Sequence, residues 1–485
     1  MEVGDGRGSP ITDHHDRPEA GLSNGPAGTG FAGALAVPEG RRSPEAGQAG
    51  HLPETFFQKV AGSHYPLAVL LLSLQWVREG NSLRGVSRLW ETWMRQLGLP
   101  WWGPHPTTIR LWVLRYGHWE LNRPKEKADD WIWVIDHSAQ FGVLKCFLIL
   151  GIRQSQVPSR PLGLQDMTLL KLQPVARSNG AIVEGQLQDQ AEETGVALAI
   201  VRDEGSDLRV GTRQFKAEHP QTAVVYDVKH CTARLLKRHL EADAEWGEFT
   251  SACSQLRPQL QQTPWAFLAP PSGRAHKSRW MNVGELIGWG VETLEIVRHP
   301  PSAVLRYVDA SGLRDKLGWL ESYAPALVRW QALEAVTRHT VEVVREEGFH
   351  AGTLEVWEAG LVGLPTGPNM GPVQAELRTY LQGESDKAGA GCIPGTTEVI
   401  ESGFAKLKAT EQQQSRSGLT GLILGLGSLL GAATADTIRQ AFASTPVSAV
   451  RRWCAECIGA SVQAQRRAAY QAVRKRNKNG TNPDP

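Results

Sequence analysis

The chain has 485 residues, a formal net charge of +2 and a hydrophobic fraction of 41%. This length favours about three domains, and the hydrophobic fraction is enough to build their cores, which excludes a chain that is disordered throughout. Because the net charge is so small, binding to nucleic acid through overall charge is also excluded, and any DNA-binding surface has to be local.

The cysteines and apolar runs indicate the cellular compartment. Six cysteines are scattered along the chain, which excludes a disulfide framework and favours a reducing environment. Cys454 and Cys457 form a C-x-x-C pair without a second pair at zinc-finger spacing, so we predict a buried helix face there. The N-terminus lacks a secretory leader, and the glycine-rich stretch GLTGLILGLGSLLGAATA predicts a buried helix rather than a membrane span. We expect a cytoplasmic protein.

The N-terminal part changes character near residue 55. Residues 1–52 are rich in Gly, Pro, Ser and charged side chains and predict a disordered tail. Beyond them PLAVLLLSLQWV is a helix candidate, Ser82 can cap a second helix, and Thr107 or Thr108 can cap a third.

Three helices, the last of them capped and arginine-bearing, predict a helix-turn-helix DNA-binding domain over residues 53–125. In this interpretation Arg110 and Arg115 on the third helix contact DNA. The alternative is a small helical packing domain that binds no ligand.

Residues 126–240 predict an α/β core. WIWVIDHS, GVLKCFLILGI and MTLLKLQPV indicate three consecutive strands, followed by the helical pattern GAIVEGQLQDQAEETG and a fourth strand, VALAIV. DLRVGTRQFKAEHP then predicts a helix, and TAVVYDV predicts a fifth strand. Three strands, helix, strand, helix, strand is the order of a ribonuclease H-like mixed sheet, in which the first and fourth strands are neighbours.

Acidic residues stand at the ends of these strands. Asp136 ends the first strand, Asp203 directly follows the fourth, and Glu401 lies in the helical stretch TEVIESGFAKLK. Two metal ions about 3.5 to 4 Å apart can clamp both the attacking and the leaving oxygen of a phosphodiester. Carboxylates suit Mg²⁺ as ligands. We therefore predict that these three residues hold two Mg²⁺ or Mn²⁺ ions and are catalytic.

Each acidic residue has a structural alternative. A strand-end aspartate is often only a turn or cap residue, and for Asp207 the cap is the preferred interpretation. Asp227, which closes the fifth strand, and His230 near it could support the site or merely start the next helix.

The choice of glutamate is also open. Glu398 and Glu401 are three residues apart, so either could point towards the aspartates. A buried stripe through Ile400 and its helical neighbours leaves Glu401 in line with Lys408, where a carboxylate and a phosphate-binding cation could share one face. The alternative is a solvated Glu–Lys surface helix.

The remaining segments complete the predicted organisation. Residues 241–390 are too long for a loop and predict a helical insertion domain, and residues 391–440 predict the C-terminal helices of the core. Residues 441–485 predict a basic helical tail that contacts DNA phosphates. The tail residues predicted to bind DNA are Arg466, Arg467, Arg474, Lys475 and Arg476.

The chain resembles bacterial insertion-sequence transposases of the Asp-Asp-Glu type over roughly residues 55 to 470. The strings that carry this resemblance are NSLRGVSRLWETW, PHPTTIRLWVLRYG, WVIDHSAQFGVLKCFLILGI, IVRDEGSDLRVGTRQFKAEHP, YDVKHCTARLLKRHL and TTEVIESGFAKLK. In the family pattern the glutamate is followed by S-x-F and then lysines, which matches Glu401.

This resemblance implies metal-dependent cleavage at transposon ends and strand transfer into target DNA. It also implies a homo-oligomer on DNA, associated with the nucleoid and not with a membrane. A ribonuclease H-like nuclease or resolvase, or a transposase relic that only binds DNA, remains the alternative.

Overall fold

The computed structural model describes residues 58–96, 103–141, 144–272, 280–413, 419–431, 433–460 and 462–479. The predicted disordered tail, residues 1–52, lies outside these ranges. The boundaries assigned above to the domains stay predictions.

Three helices precede the sheet: α1 (Leu67–Arg78), α2 (Leu83–Gln96) and α3 (Pro106–Asn122). The Ser82 cap is confirmed, since its Oγ accepts a hydrogen bond of 2.8 Å from the Gly85 N–H. The predicted cap of α3 is wrong by two or three residues. His105 is the N-cap and Pro106 follows as the first helical residue, a position where proline's missing N–H costs nothing.

The central element is a five-stranded mixed sheet with the strand order β3-β2-β1-β4-β5. Its strands and first helices are β1 (Trp131–Phe141), β2 (Leu144–Arg153), β3 (Thr168–Val175), α4 (Gly180–Thr194), β4 (Ala199–Arg202), α5 (Ser206–Glu218), β5 (Ala223–Tyr226) and α6 (Val228–Glu241). Strands β1, β2 and β3 pair antiparallel, whereas β4 runs parallel to β1 and β5 runs parallel to β4. The predicted order of strands and helices, with the first and fourth strands as neighbours, is confirmed.

One strand boundary differs from the prediction. Asp136 does not end β1, which continues along β2 to Phe141 after a register irregularity between Asp136 and Ala139. The parallel pairing of β1 with β4, however, spans only Ile132 to Val134. Asp136 therefore lies just past the end of the parallel ladder, where β1 has β2 but no longer β4 beside it.

The sheet is buried on both faces, which explains the near-continuous apolar runs of its strands. On one face Trp133, Ile135 and Ile200 pack under α4 and α5. On the other face Val134 and Val201 belong to a larger core that includes side chains from the later helices. The glutamate-bearing helix α14 (Glu398–Gln412) contributes Ile400, Phe404 and Leu407 to this second core, as its predicted stripe requires.

Helices fill the segment between β5 and α14. They are α6, α7 (Ala244–Leu260), α8 (Gly284–Arg298), α9 (Ser302–Leu305), α10 (Ala310–Leu317), α11 (Ala324–Glu347), α12 (Thr353–Gly360) and α13 (Met370–Ser385). Trp330 and Trp357 are buried there as part of the larger core.

Helix α13 and the turn after it also cover the outer edge of β5. Tyr380 Oη donates to the Tyr226 carbonyl at 2.7 Å, and Lys387 Nζ donates to the Val224 carbonyl at 2.9 Å. These side chains satisfy backbone groups that an open edge strand would expose.

The apolar stretch after α14 is buried, as predicted, but it is not one helix. It forms a 3-10 helix, Leu419–Gly425, followed by the short α15 (Leu426–Leu429). The backbone crosses α3 closely: a Cβ on Gly117 would lie 1.7 Å from the Leu424 carbonyl oxygen. This close approach requires glycine at position 117 of α3, and it also requires glycine on the facing side, at Gly427. Glycines lower the helix propensity of the apolar stretch, which explains why it does not form one long helix.

The C-terminal part consists of α16 (Ala435–Ser444), α17 (Val447–Trp453), a π-helical turn (Cys454–Ile458) and α18 (Val462–Asn479). Cys454 and Cys457 lie in the π-helical turn as free, half-buried thiols, so the predicted buried face is only partly correct. Within the described ranges, no helix combines the length and the apolar character that a bilayer crossing requires.

Candidate functional site

Three aspartates form one row across the parallel strands. Val134 pairs with Val201, and Val201 pairs with Val225. Asp136, Asp203 and Asp227 each follow these residues by two positions, so they share one register. Because side chains alternate along a strand, Asp136 in β1 lies on the sheet face of Val134, which is the face that α14 covers. Asp203 and Asp227 lie just beyond the ends of β4 and β5. Neighbouring strands are about 4.8 Å apart, so the row is compact.

The first two aspartates are anchored by backbone donors and remain half-exposed. The Asp136 Oδ1 accepts a hydrogen bond of 2.6 Å from the His137 N–H, and the Asp203 Oδ1 accepts one of 2.8 Å from the Gly205 N–H. A Cβ on Gly205 would lie 3.0 Å from the Asp203 Oδ1, so the missing side chain leaves room for that carboxylate. Both groups are therefore held at the end of the ladder and are still accessible.

A histidine lies next to this pair. His137 Nδ1 is 3.5 Å from an Asp207 carboxylate oxygen, and His137 Nε2 is 3.1 Å from Ser178 Oγ. Burial lowers the pKa of His137, and the neighbouring Asp207 only partly opposes this effect. Burial raises the pKa of Asp207, but the Ser178 hydrogen bond and the His137 charge outweigh it, so the net shift is downward.

The predicted capping role of Asp207 is not the observed one. Gly205 is the N-cap of α5, and Asp207 lies in the first turn of the helix. Its Oδ1 still accepts a hydrogen bond of 3.0 Å from the Leu208 N–H in that turn, while its Oδ2 contacts His137.

The third aspartate in the row has a structural position. Asp227 is only 1% exposed and caps α6, where its Oδ1 accepts from the His230 N–H at 2.8 Å. Its Oδ2 accepts from the Thr397 N–H at 2.5 Å and from Thr397 Oγ1 at 2.9 Å. Burial raises the pKa of Asp227, which these hydrogen bonds oppose. Because Thr397 is the N-cap residue of α14, Asp227 fixes the start of the glutamate-bearing helix against the end of β5.

The two candidate glutamates share one cation. Lys229 Nζ lies 3.1 Å from Glu398 Oε1 and 3.2 Å from Glu401 Oε2. Glu398 also lies 3.4 Å from Arg345 Nε, whereas Glu401 is the more exposed of the two. Burial lowers the pKa of Lys229, but the two carboxylates have the larger, opposite effect. The net shift of the pKa is upward, so the ammonium stays charged. Lys408 is exposed on α14, on the same side as Glu401.

The donor set can be tested against the predicted metal ions. Within the described ranges, no group of three or more His, Cys, Asp or Glu side chains is arranged to hold a metal ion. The carboxylates of Asp136 and Asp203 are the hard oxygen donors that Mg²⁺ prefers. The third predicted ligand, Glu401, is paired with Lys229 instead. The carboxylates of Asp136 and Asp203 are therefore suitable ligands for a divalent cation. Glu401 could bind the same cation only after its ion pair with Lys229 is broken.

A group of arginines flanks Asp203 and was missed from the sequence. Glu204 lies 3.0 Å from Arg202 Nη1, 4.0 Å from Arg209 Nη1 and 3.9 Å from Arg234 Nη1. The side chains of Arg209 and Arg234 are 60% and 67% exposed. One carboxylate thus faces three guanidinium groups, and the two exposed ones remain accessible to an anion. Arg209 and Arg234 come from different helices, so only the fold brings them together.

The predicted DNA contact at Arg115 needs correction. Its side chain is 5% exposed and donates to the carbonyls of Gly62, Phe442 and Thr445 at 2.8 to 2.9 Å. The guanidinium also stacks on the Phe442 ring at 4.3 Å. Arg115 therefore ties α3 to α16 and to the segment before α1, and it has no surface to offer to DNA. Arg110 is half-buried near Cys454, and burial lowers its pKa.

The predicted tail residues lie on α18. Arg466, Arg467 and Arg474 are exposed there. Lys475 and Arg476 belong to the same helix, but their side chains lie outside the described part of the chain. DNA contacts by these residues stay predictions.

Comparison with solved structures includes a likeness to a transposase complex. No family model and no curated protein matches the chain. Among solved structures, the Drosophila P element transposase strand transfer complex aligns at 10% sequence identity and a TM-score of 0.38, covering 79% of this chain and 94% of that chain. A likeness this weak carries no weight in assigning a function, which has to rest on the residues described above.

Proposed function

We propose that the protein is a DNA transposase of the Asp-Asp-Glu type with a ribonuclease H-like core, which cleaves transposon ends and transfers them into target DNA. One observation carries the proposal. Asp136 and Asp203 each stand two residues beyond the paired Val134 and Val201 of adjacent parallel strands, and the glutamate-bearing helix α14 covers the sheet face of those valines. This placement suits phosphoryl transfer because it gathers oxygen donors from distant parts of the chain.

In the proposed reaction, water attacks a phosphodiester at the transposon end, and the 3′-hydroxyl released by breaking that P–O bond attacks target DNA. Two bound Mg²⁺ or Mn²⁺ ions would supply Lewis-acid stabilisation of the phosphate. Asp136 and Asp203 would be the fixed ligands, because backbone N–H groups already hold one oxygen of each. Glu401 would complete the set after separating from Lys229.

The surrounding cations support a polyanionic substrate. The exposed Arg209 and Arg234 flank Asp203, and Lys229 would keep only Glu398 of its two carboxylate partners when Glu401 moves. On α18, Arg466, Arg467 and Arg474 add an exposed basic surface. Such groups fix a DNA strand through its phosphates without reading its sequence. We further propose that the protein acts as a homo-oligomer on DNA, in a bacterial cytoplasm and at the nucleoid.

A transposase relic that binds DNA without cutting it is the second candidate. The pairing of Glu401 with Lys229 favours it, because a permanent ion pair would keep the third ligand away from the aspartates. A nuclease or resolvase would use the same carboxylates but would not join the released end to a target.

The test uses the purified full-length chain and labelled duplexes taken from the DNA on either side of its reading frame. With Mg²⁺ we expect nicking at one end sequence and joining of that end to a supercoiled plasmid. Nicking without joining would support the nuclease, and binding without nicking would support the relic.

Two single substitutions link this activity to the site. Asp136→Asn and Asp203→Asn should each abolish nicking while leaving end binding and thermal unfolding close to wild type. Asp189→Asn, which changes an exposed carboxylate on α4, is the matched control and should nick normally. Wild-type nicking by either site variant would contradict the proposed site.

A further inference from the structure

The predicted DNA-reading helix, α3, is enclosed by the rest of the protein. Helices α1 and α2 pack on it, as do α15, α16 and the 3-10 helix Leu419–Gly425. Trp112, Val113 and Tyr116 on α3 are buried, and Gly117 touches the backbone at Leu424. A helix covered in this way cannot enter a DNA groove, because its neighbours would have to leave first.

Helix α2 has the opposite arrangement. Its buried stripe consists of Leu83, Val86, Trp90 and Met94, and the Trp90 Nε1–H donates to Ser73 Oγ on α1 at 2.9 Å. The buried stripe therefore attaches α2 to the rest of the protein along one face, through its contacts with α1 and α3. The remaining face of α2 is exposed over its whole length.

The exposed face of α2 is mainly cationic. Arg84, Arg88 and Arg95 are all exposed, and Glu91 is the acidic residue among them. These four residues are spaced by four, three and four positions, so they form one stripe along the helix. The face is therefore positively charged although the whole chain is nearly neutral.

Two partly exposed apolar side chains lie on the opposite edge of the exposed face, roughly 100° or more around the helix from the arginines. Trp93 is 50% exposed and Leu89 is 38% exposed. Trp93 is held by edge-to-face contacts with Trp76 at 6.0 Å and Trp90 at 6.2 Å, so its exposed ring is fixed in position. Burying such a ring against a partner costs little conformational entropy. A helix in a groove has DNA on both flanks, so arginines on one edge and apolar side chains on the other can contact phosphates and base edges together.

We propose that the outer face of α2 is the duplex-DNA-binding surface of the N-terminal helices and lies in the major groove. The helix is about 21 Å long, and its diameter suits a groove about 12 Å wide. Arg88 and Arg95 contact phosphates or guanine edges, and Trp93 with Leu89 contacts thymine methyl groups. This inference rests on the proposed function for its partner, and it moves the DNA-reading role from α3 to α2.

The test measures binding, without metal ions, of the full-length chain to the flanking duplexes described above. Arg88→Gln combined with Arg95→Gln should weaken binding by about tenfold or more, and it should reduce the slope of log affinity against log salt by about two. The control combines Arg306→Gln with Arg314→Gln, which removes two exposed arginines from the helices between β5 and α14. That variant should bind like wild type.

Circular dichroism melting checks that both double variants are folded, and Trp93→Gln provides a second, uncharged probe. We expect Trp93→Gln to weaken duplex binding without changing the salt slope. Equal affinity and equal slope for the α2 and control variants would overturn the inference, as would equal binding of single-stranded DNA by the wild type. If the α2 variants lose binding but no variant or wild type nicks DNA, the inference stands and the proposed transposase chemistry fails.

Discussion

The strand-end aspartates and the N-terminal arginines were both expected to face DNA, yet they lie in different surroundings. Asp136 and Asp203 remain half-exposed at the edge of the parallel ladder, held by local backbone N–H groups. Arg115 is enclosed by carbonyls from residues more than three hundred positions away, Phe442 and Thr445. Asp136 and Asp203 are accessible because they lie just past the last residues that pair between β1 and β4, whereas the exposed face of a helix depends on which segments pack on it from later in the chain.

The largest expected effect is on the nicking rate, and it comes from substitutions of the two glutamates. They test whether the aspartates at the end of the parallel ladder belong to a catalytic site. If Glu401 is the third ligand, Glu401→Gln should lower the nicking rate by about 10²-fold or more, because the amide removes the negative charge that the metal ion needs. Glu398→Gln should change the rate by no more than about threefold, since it breaks only partly exposed ion pairs. Single-turnover nicking at saturating Mg²⁺ measures both. Reversed outcomes would make Glu398 the ligand.

Arg115 tests the other half of the comparison. Arg115→Ala should lower the free energy of unfolding by about 3 to 5 kcal/mol, because the buried carbonyls of Phe442 and Thr445 and the partly buried one of Gly62 lose a charged donor. Arg115→Lys should restore only part of the lost free energy of unfolding, since an ammonium cannot donate to three carbonyls in the planar geometry of a guanidinium. Denaturant unfolding gives the values, and Arg451→Ala, an exposed change on α17, should stay within about 0.5 kcal/mol of wild type. If the Arg115→Ala protein were as stable as wild type but bound DNA more weakly, Arg115 would be a DNA contact and not a structural residue.

Lys229 gives a smaller effect that sharpens the picture of the site. Because its ammonium competes with a metal ion for Glu401, Lys229→Met should lower the Mg²⁺ concentration for half-maximal nicking by about two- to fivefold, the scale of a partly exposed ion pair. Arg345→Gln, which touches Glu398 alone, should leave that concentration unchanged. A rise in the Mg²⁺ requirement of Lys229→Met would show that Lys229 positions Glu401 for the metal rather than holding it away.

His137 is expected to give the smallest effect, through the pH dependence of stability. Burial lowers its pKa below the usual 6.5, so the unfolded chain binds its proton at a higher pH than the folded protein does. Stability should therefore fall as the pH drops below 6.5 and through the lower folded pKa. His137→Gln should flatten this part of the curve of melting temperature against pH. His118, whose pKa burial also lowers, provides the matched comparison, since His118→Gln should flatten the same interval without affecting nicking. An unchanged curve for His137→Gln would mean that the histidine titrates alike in both states.

Local patterns in the sequence were sufficient to predict the sheet, although they ended β1 at Asp136 and the strand continues to Phe141. Apolar runs and helical spacing predicted the five strands and the helices between them. The order of these elements along the chain predicted that β1 and β4 are adjacent in the sheet. The buried stripe of α14 was likewise readable from Ile400, Phe404 and Leu407. These features depend on side chains within a few residues of one another, which is the range over which sequence periodicity carries information.

Contacts between distant segments were decided only by the tertiary structure. The sequence contains no local sign that Lys229 would lie between Glu398 and Glu401, or that Glu204 would gather Arg209 and Arg234 from two helices. Nor does it show that residues after 430 would cover α3 and leave α2 exposed. An amphipathic pattern identifies a buried stripe, but the rest of a helix is exposed or covered according to what packs on it. Arginine can serve either outcome, because its guanidinium binds backbone carbonyls as readily as phosphates.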